Sequence, residues 1–194
     1  MNALRMPLVA AAAVVALCGS GPAAQTNHPA EEFTATAIVN NNLGSGVGTV
    51  QISVERWSSD ADRTRLVDTL VRKGPAKLLD QLQDMKPVGR IRTPDSLGYD
   101  LRYAHQTRGE DGEQRIVIAT DRPIGFWEAS RRPRTVDYPF TVIQMEIPRE
   151  GKGSGTISYA TKIVAKEHTI ELENFASSPI MLTEIQARKA HEDR

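Results

Sequence analysis

Residues 33–57 have the sequence FTATAIVNNNLGSGVGTVQISVERW, and this stretch indicates a β-rich fold. Its two flanks, residues 33–39 and 50–57, alternate apolar and polar side chains and are rich in Val, Ile and Thr, a pattern typical of half-buried strands. Between them, residues 40–48 are mostly Asn, Gly and Ser, which accept positive φ and favour turns. The stretch therefore predicts a β-hairpin with a mobile tip.

Two short amphipathic helices are predicted after this hairpin. Ser59 suits an N-cap with Asp62 three residues later, and Gly74 ends the helical pattern. Pro75 suits the first turn of a second helix. The pair covers about residues 60–85, and its apolar faces are formed by Leu66, Val67, Leu70, Val71, Leu78, Leu79, Leu82 and Met85.

From Val88 onward the chain has the composition of strands and turns. Strands are predicted at residues 89–93, 99–105, 114–120, 140–147, 156–164, 169–175 and 180–186. Short links between neighbours favour antiparallel pairing. We therefore expect a mainly β (α+β) fold, in which an antiparallel sheet of about nine strands forms a sandwich or an open barrel. The helical pair is inserted after strand two and covers one face or one mouth.

The N-terminal region differs in composition from the rest of the chain. Arg5 precedes the apolar run of residues 7–17, which is shorter than the ~20 residues that a membrane span needs. Small residues follow this run, as in a signal peptide. We expect residues 1–23 to be a signal peptide, cleaved after Ala23 or one residue later. The mature chain then comprises a flexible leader at residues 24–32, a single β-rich domain at 33–187 and a polar tail at 188–194.

Cys18, the only cysteine, allows a second interpretation of this region, in which it is the acylated residue of a lipoprotein. Leu17 precedes it, where a lipoprotein normally has Gly, Ala or Ser. The sequence therefore favours an exported periplasmic or extracellular protein over anchoring through Cys18. Its mature chain contains no cysteine, and so no disulfide, no thiol nucleophile and no thiolate metal site.

The charge balance argues against nucleic acid as a partner. Lys and Arg number 24, as do Asp and Glu, so the chain has no net charge with which to attract phosphates. The second predicted helix carries Asp80 and Asp84 where a DNA-reading helix would be basic. We expect neither a nucleic-acid partner nor a membrane span.

Short sequence words are spread along the chain: RWS at 56–58, GP at 74–75, VGRIRTP at 88–94, LGYDL at 97–101, ATDRPI at 119–124, FWE at 126–128 and DYPFT at 137–141. As a set, they resemble the words of a recurring family of exported bacterial proteins, and they cover most of residues 33–186. That family is uncharacterised and has no assigned activity. The resemblance therefore implies bacterial export and an uncharacterised domain, but no mechanism.

The histidines do not have the spacing of a metal site. His28, His105, His168 and His191 are scattered along the chain, so we expect no metal and no cofactor. His105 ends a predicted strand and is expected to be half exposed.

Hydrolase chemistry has limited support. The glycine-rich stretches 44–48 and 151–155 stand between strands, whereas a nucleophile elbow or a phosphate loop needs a following helix. Two facing carboxylates would suffice for glycoside hydrolysis. The candidates at strand ends or in loops are Asp95, Asp100, Asp121, Glu128 and Asp137.

Residues 121–139 form a long stretch without strand alternation. Loops longer than ~12–15 residues in a compact domain are usually functional or disordered. Its aromatic residues suggest either an ordered crossover whose rings fill the core, or a surface that binds an anionic or carboxylate-bearing partner. The candidate ligand-binding residues are Arg122, Trp127, Arg131, Arg132, Arg134 and Tyr138.

Three functions remain open from the sequence. The leading interpretation is an exported, non-enzymatic binding protein of the cell envelope or extracellular space, whose partner is a small molecule or an envelope protein. The second is a hydrolase that uses loop carboxylates or His105. The third is a structural envelope component that pairs through an exposed strand edge.

Overall fold

A computed structural model describes residues 30–41, 44–94, 97–109, 111–124, 138–166, 169–174 and 178–189. The predicted signal peptide lies outside these residues. Two helices and ten strands follow one another along the described chain. They are β1 (Glu31–Asn41), β2 (Gly44–Val54), α1 (Asp60–Lys73), α2 (Pro75–Asp84), β3 (Gly89–Arg92), β4 (Tyr99–Leu101), β5 (Tyr103–Arg108), β6 (Gln114–Ala119), β7 (Phe140–Ile147), β8 (Gly153–Lys166), β9 (Thr169–Asn174) and β10 (Ile180–Lys189).

The strands form one antiparallel sheet that curls into a nearly closed barrel. Their order is β4-β3-β2-β1-β10-β8-β7-β6-β5, and β9 pairs with β8 off this path. The two ends of the order, β4 and β5, are consecutive in the chain and are separated by Arg102 alone. The mainly β fold and the helical pair after strand two are confirmed, and the sheet is a barrel rather than a sandwich.

The first hairpin is longer than predicted. β1 and β2 pair without interruption from Glu31 opposite Val54 to Asn41 opposite Gly44. Most of the expected loop at residues 40–48 is therefore strand. Its glycines hid the period-two pattern, in which Ser45, Val47 and Thr49 alternate with glycine, because glycine favours turns but also forms ladder hydrogen bonds.

The single strand predicted at residues 99–105 is wrong, since Arg102 divides it into β4 and β5. The Leu101 carbonyl accepts a hydrogen bond from the Val88 amide at 2.8 Å, at the β3 end of the sheet. The Arg102 amide donates to the Ala119 carbonyl at 3.0 Å, at the β6 end. The chain stays extended but changes its pairing partner, which a local sequence pattern does not encode.

The barrel interior is a packed apolar core within the described part of the chain. Along β6, the side chains of Ile116 and Ile118 belong to this core, while Val117 and Ala119 belong to a second cluster on the other face. Large side chains that are completely buried in the core come from most strands: Phe33, Ile52, Ile91, Leu101, Ile116, Ile118, Ile143, Met145 and Ile157.

The helical pair packs on the outer face of the barrel, over β5 to β8. Leu66, Leu70, Leu78 and Leu82 are buried there. Their cluster includes Tyr103, Ala119, Phe140, Val142 and Ile163 of the strands. The predicted leucine faces are confirmed, but Val71 is 58% exposed because it lies on the side of α1 away from the barrel. The predicted inward position of Val71 is therefore wrong.

Glycine at position 89 is required by close strand packing. A Cβ atom there would lie 2.0 Å from the Ser53 carbonyl oxygen of β2, closer than any real contact. Gly89 pairs with Val54 in the β2–β3 ladder, so the backbones of the two strands lie close together at this point. Any other residue would push β3 away from β2.

Removal of the Leu82 side chain tests the packing of the helical pair. Leu82 is 1% exposed, so Leu82→Ala is expected to lower the free energy of unfolding by about 2–5 kcal/mol through lost contacts and a residual cavity. Val71→Ala is the matched control, because truncation of an exposed side chain should change that free energy by less than about 0.5 kcal/mol. Urea denaturation measures both. Equal midpoints for Leu82→Ala and the wild type would show that α2 does not pack on the barrel.

Candidate functional site

The predicted ligand-binding segment, residues 121–139, is described at its two ends only. Residues 121–124 follow β6, and residues 138–139 precede β7. Arg122 and Tyr138 are therefore placed by the structure. The other candidates on this segment lie outside the described residues: Trp127, Arg131, Arg132 and Arg134, together with the carboxylates Glu128 and Asp137.

Two buried threonines, Thr120 and Thr141, hold these two ends side by side, and we call them the threonine clamp. The Thr120 hydroxyl accepts a hydrogen bond from the Thr141 amide at 3.1 Å and donates to the Arg122 carbonyl. The Thr141 hydroxyl accepts from the Ile124 amide at 2.8 Å and donates to the Tyr159 carbonyl of β8 at 2.7 Å. The two described ends of the segment thus lie at one anchored place on the barrel.

A buried carboxylate lies beside the clamp between two arginines. Asp121 Oδ2 is 3.3 Å from Arg102 Nε, and Asp121 Oδ1 is 3.5 Å from Arg122 Nε. The Arg102 Nε–H is not aimed for a hydrogen bond, so the attraction between Arg102 and Asp121 is mainly coulombic. Two guanidinium groups face one carboxylate, which leaves one positive charge in excess, and Arg122 is the exposed member.

The structure places Arg122 and Tyr138 on opposite ends of the segment. Arg122 comes two residues after Thr120, and Tyr138 comes three residues before Thr141. Tyr138 is half-buried and Arg122 is exposed. The clamp therefore positions both of the described candidates through the backbone next to them.

His105 is buried, so its predicted half-exposed position is wrong. Its ring is parallel to that of Tyr103, with centroids 6.1 Å apart, and its Nε2 lies 2.8 Å from Asp60 Oδ1. Asp60 is the first residue of α1, and the helical pair packs on this face of β5. The same cover buries Tyr103, and this burial raises the pKa of the Tyr103 phenol far above its usual range.

The serine hydroxyls nearest to this pair along the chain have other hydrogen-bond partners. The Ser58 hydroxyl accepts a hydrogen bond from the Ala104 amide at 3.2 Å. The Ser59 hydroxyl caps α1 by accepting from the Asp62 amide at 3.1 Å and donates to the Asp62 carboxylate at 2.8 Å. His105 and Asp60 therefore form a histidine–carboxylate pair, and the hydroxyls of Ser58 and Ser59 serve structural roles beside it.

The described carboxylate candidates are each bound to an arginine. Asp100 Oδ1 lies 3.3 Å from Arg90 Nη2 on the outer face of the sheet, while Asp121 faces Arg102 and Arg122. Asp95 lies outside the described residues, as Glu128 and Asp137 do. Among the described residues, no group of three or more His, Cys, Asp or Glu side chains has the geometry of a metal site.

A shallow depression of about 390 Å³ on the outer face of β2, β3 and β4 was not predicted from the sequence. Arg90 and Arg92 line it, and alternate positions on a strand are the signal that would have placed both arginines on one face. Asp100 pairs with Arg90, and Arg92 Nε donates to Gln51 Oε1 at 2.9 Å. The arginines in this depression are thus already engaged by side chains of the protein.

Comparisons with known proteins do not assign this site. No protein-family model, no curated protein and no solved structure matches the chain. Neither helix in the described ranges has the length and apolar character of a membrane span. The resemblance to exported bacterial proteins therefore stays a prediction from the sequence words.

The N-terminal cap of α1 gives a pH-dependent prediction. Burial tends to raise the pKa of Asp62, but hydrogen bonds from Ser59 and the positive charge of Arg65 outweigh this effect and lower that pKa below its ordinary value. The cap therefore stabilises the fold above the unfolded-state pKa of about 3.9, and this stabilisation is lost as pH falls through the lower folded-state pKa.

The variant Ser59→Ala tests this effect. It is expected to cost about 1 kcal/mol of unfolding free energy at pH 7. Its difference from the wild type should shrink below about pH 4, where Asp62 of the unfolded chain becomes protonated before Asp62 of the folded protein. Urea denaturation at several pH values measures the difference. Val71→Ala, at an exposed and uncharged position of α1, is the control, and its small effect should not depend on pH. A Ser59→Ala deficit of equal size at pH 7 and pH 2.5 would contradict the role of the Asp62 charge.

Proposed function

We propose that this protein is an exported, non-enzymatic binding protein of the bacterial cell envelope or extracellular space. Its binding surface is the segment of residues 121–139, and its partner is a molecule with an anionic or carboxylate group. The observation that carries the proposal is the threonine clamp, Thr120 and Thr141, which anchors both ends of this segment to the barrel.

The clamp supports a binding role because it joins a long connection to a rigid scaffold. Binding residues are found disproportionately on loops that a rigid framework positions. Thr120 and Thr141 are completely buried, and their hydroxyls bond to the backbone of residues 122 and 124, of β7 and of β8. β6 and β7 are antiparallel neighbours, and such strands are often joined by a loop of only a few residues. A connection that served only to link them could therefore be much shorter.

The charges of the segment support an anionic partner. Arg122 is exposed, and Asp121 is shared between Arg122 and Arg102. The segment adds further guanidinium groups at positions 131, 132 and 134, with Trp127 and Tyr138 as aromatic neighbours in the sequence. Guanidinium groups bind carboxylates through two parallel hydrogen bonds, and aromatic rings add apolar contact area.

The packed interior also supports an external binding surface. Ile116, Ile118 and Ile143 are completely buried members of the apolar core inside the barrel. The helical pair covers the outer face of β5 to β8. The clamped segment is therefore the strongest remaining candidate among the features that the sequence predicted.

Charge removal tests the proposal. The triple variant Arg131→Gln, Arg132→Gln and Arg134→Gln is expected to bind a fluorescent oligo-glutamate peptide at least tenfold more weakly than the wild type. The wild-type affinity should decrease as salt is added, because surface charges are screened within about 10 Å at 0.1 M. Fluorescence anisotropy measures binding. Thermal unfolding should change little, because the arginines of a binding surface contribute only about 0–1 kcal/mol each to stability through surface ion pairs.

A matched control removes the same charge elsewhere. Arg65→Gln, Arg72→Gln and Lys73→Gln change three exposed cations of α1 and should leave peptide binding unchanged. An equal loss in both triple variants would mean that the peptide senses net charge alone. If the variant with Arg131, Arg132 and Arg134 changed to Gln bound the peptide like the wild type, the site would lie elsewhere. If that variant unfolded, the three arginines would be structural.

A further inference from the structure

Half of strand β2 has an open edge. β2 pairs with β1 along its whole length, but it pairs with β3 only from Gln51 opposite Arg92 to Val54 opposite Gly89. Within the described ranges, residues 44–50 therefore have no strand partner on the side away from β1. We call residues 44–50 the open edge.

The open edge lacks the features that protect exposed strand edges. Natural edges carry charged side chains, especially lysine, or proline, or a bulge that twists the strand away from other chains. The open edge has the sequence GSGVGTV, without a charge or a proline. Its register with β1 is continuous and contains no bulge. Such an edge is suited to pairing with another strand.

An uncovered apolar row leads to this edge. Val47 of β2 is opposite Ile38 of β1, and Ile38 is opposite Met181 of β10, so the three side chains share the outer face of the barrel. They are 74%, 38% and 48% exposed, respectively. The next rung consists, in the same strand order, of the uncharged Thr49, Thr36 and Thr183. Interface centres are similarly depleted in charged side chains.

The position of the chain ends favours a second molecule as the occupant. Glu31 of β1 pairs with both Val54 of β2 and Lys189 of β10. The described chain therefore begins and ends at the end of the hairpin opposite to its tip, whereas the open edge extends from Val50 towards that tip. Neither end of the described chain lies beside the open edge, which favours a second molecule as its partner.

The open edge is also complementary to itself. If two copies pair in antiparallel register with a two-fold axis at Val47, then Ser45 lies opposite Thr49 and Gly46 opposite Gly48. Outward side chains of one copy then lie opposite outward side chains of the other. Like charges directly opposite each other would be destabilising, and this register contains none. The apolar rows of the two copies, each consisting of Val47, Ile38 and Met181, join across the axis.

We propose that this protein forms a symmetric homodimer in which the open edge pairs with the same edge of a second copy. The pairing joins the two barrels through one continuous sheet across the two-fold axis, which is an isologous contact. The contact lies on β2 and does not rest on the function proposed for residues 121–139.

Substitution at the axis tests the dimer. Val47→Lys places two ammonium groups opposite each other, so sedimentation velocity should show dimerisation at least tenfold weaker than in the wild type. Val71→Lys is the matched control, since Val71 is another exposed valine, on α1, and should dimerise like the wild type. A wild type that remains monomeric at 100 µM, or a Val47→Lys dimer as strong as the wild type, would overturn the proposal.

Disulfide trapping tests the register, with Cys18→Ser in the background so that one thiol is present. In Val47→Cys, the two introduced thiols would face each other across the axis with Cα atoms about 5 Å apart, within the range that a disulfide allows. In Thr49→Cys, the two thiols would be separated by four residues along the strands, about 13 Å. Val47→Cys should therefore form the covalent dimer much faster than Thr49→Cys under mild oxidation. Equal rates, or faster trapping of Thr49→Cys, would contradict the two-fold axis at Val47.

Discussion

The arrangement of Arg102 and Asp121 is the interaction on which the rest of the structure depends. Arg102 stands between β4 and β5, the two ends of the sheet, so its backbone joins the two edges of the nearly closed barrel. Its side chain donates from Nη1 to the Met85 carbonyl at 2.9 Å, at the end of α2, and its Nε faces Asp121. A buried carboxylate is costly unless a positive charge compensates it. Arg102 provides that charge at the point where the strands and the helical pair meet.

Asp121 extends this arrangement to the candidate binding segment. It follows Thr120 of the threonine clamp, and it also faces the exposed Arg122. Arg102 thus contacts both the end of α2, through Met85, and the start of residues 121–139, through Asp121. The same residue joins β4 to β5. The proposed binding surface therefore begins on the firmly held side of the barrel, while the proposed dimer contact uses the open half of β2.

Local sequence patterns predicted much of the fold. The alternation in residues 33–39 and 50–57 identified β1 and β2, and the spacing of Ser59, Asp62 and Gly74 identified α1, because strand alternation and helix capping act between near neighbours. The division at Arg102 was missed because it depends on the neighbouring strand, which changes from β3 to β6 at this residue. Burial of His105 was missed because its cover, α1, is distant in the sequence. For the candidate site, the sequence identified the segment, but the clamp depends on contacts between Thr120, Thr141 and Tyr159 on different strands.

A double-mutant cycle on Arg102 and Asp121, measured by urea denaturation, tests the central claim most directly. Arg102→Met and Asp121→Asn are each expected to lower the unfolding free energy by about 3–5 kcal/mol. The first leaves the buried Asp121 carboxylate with only the exposed Arg122 beside it, and the second leaves the Arg102 guanidinium without its buried carboxylate. The double variant should lose less than the sum of the two, with a coupling energy above about 1 kcal/mol. The cycle cancels the hydrogen bond from Arg102 to Met85, which both Arg102 variants lack. Single losses below about 0.5 kcal/mol that add without coupling would contradict a barrel that depends on this pair.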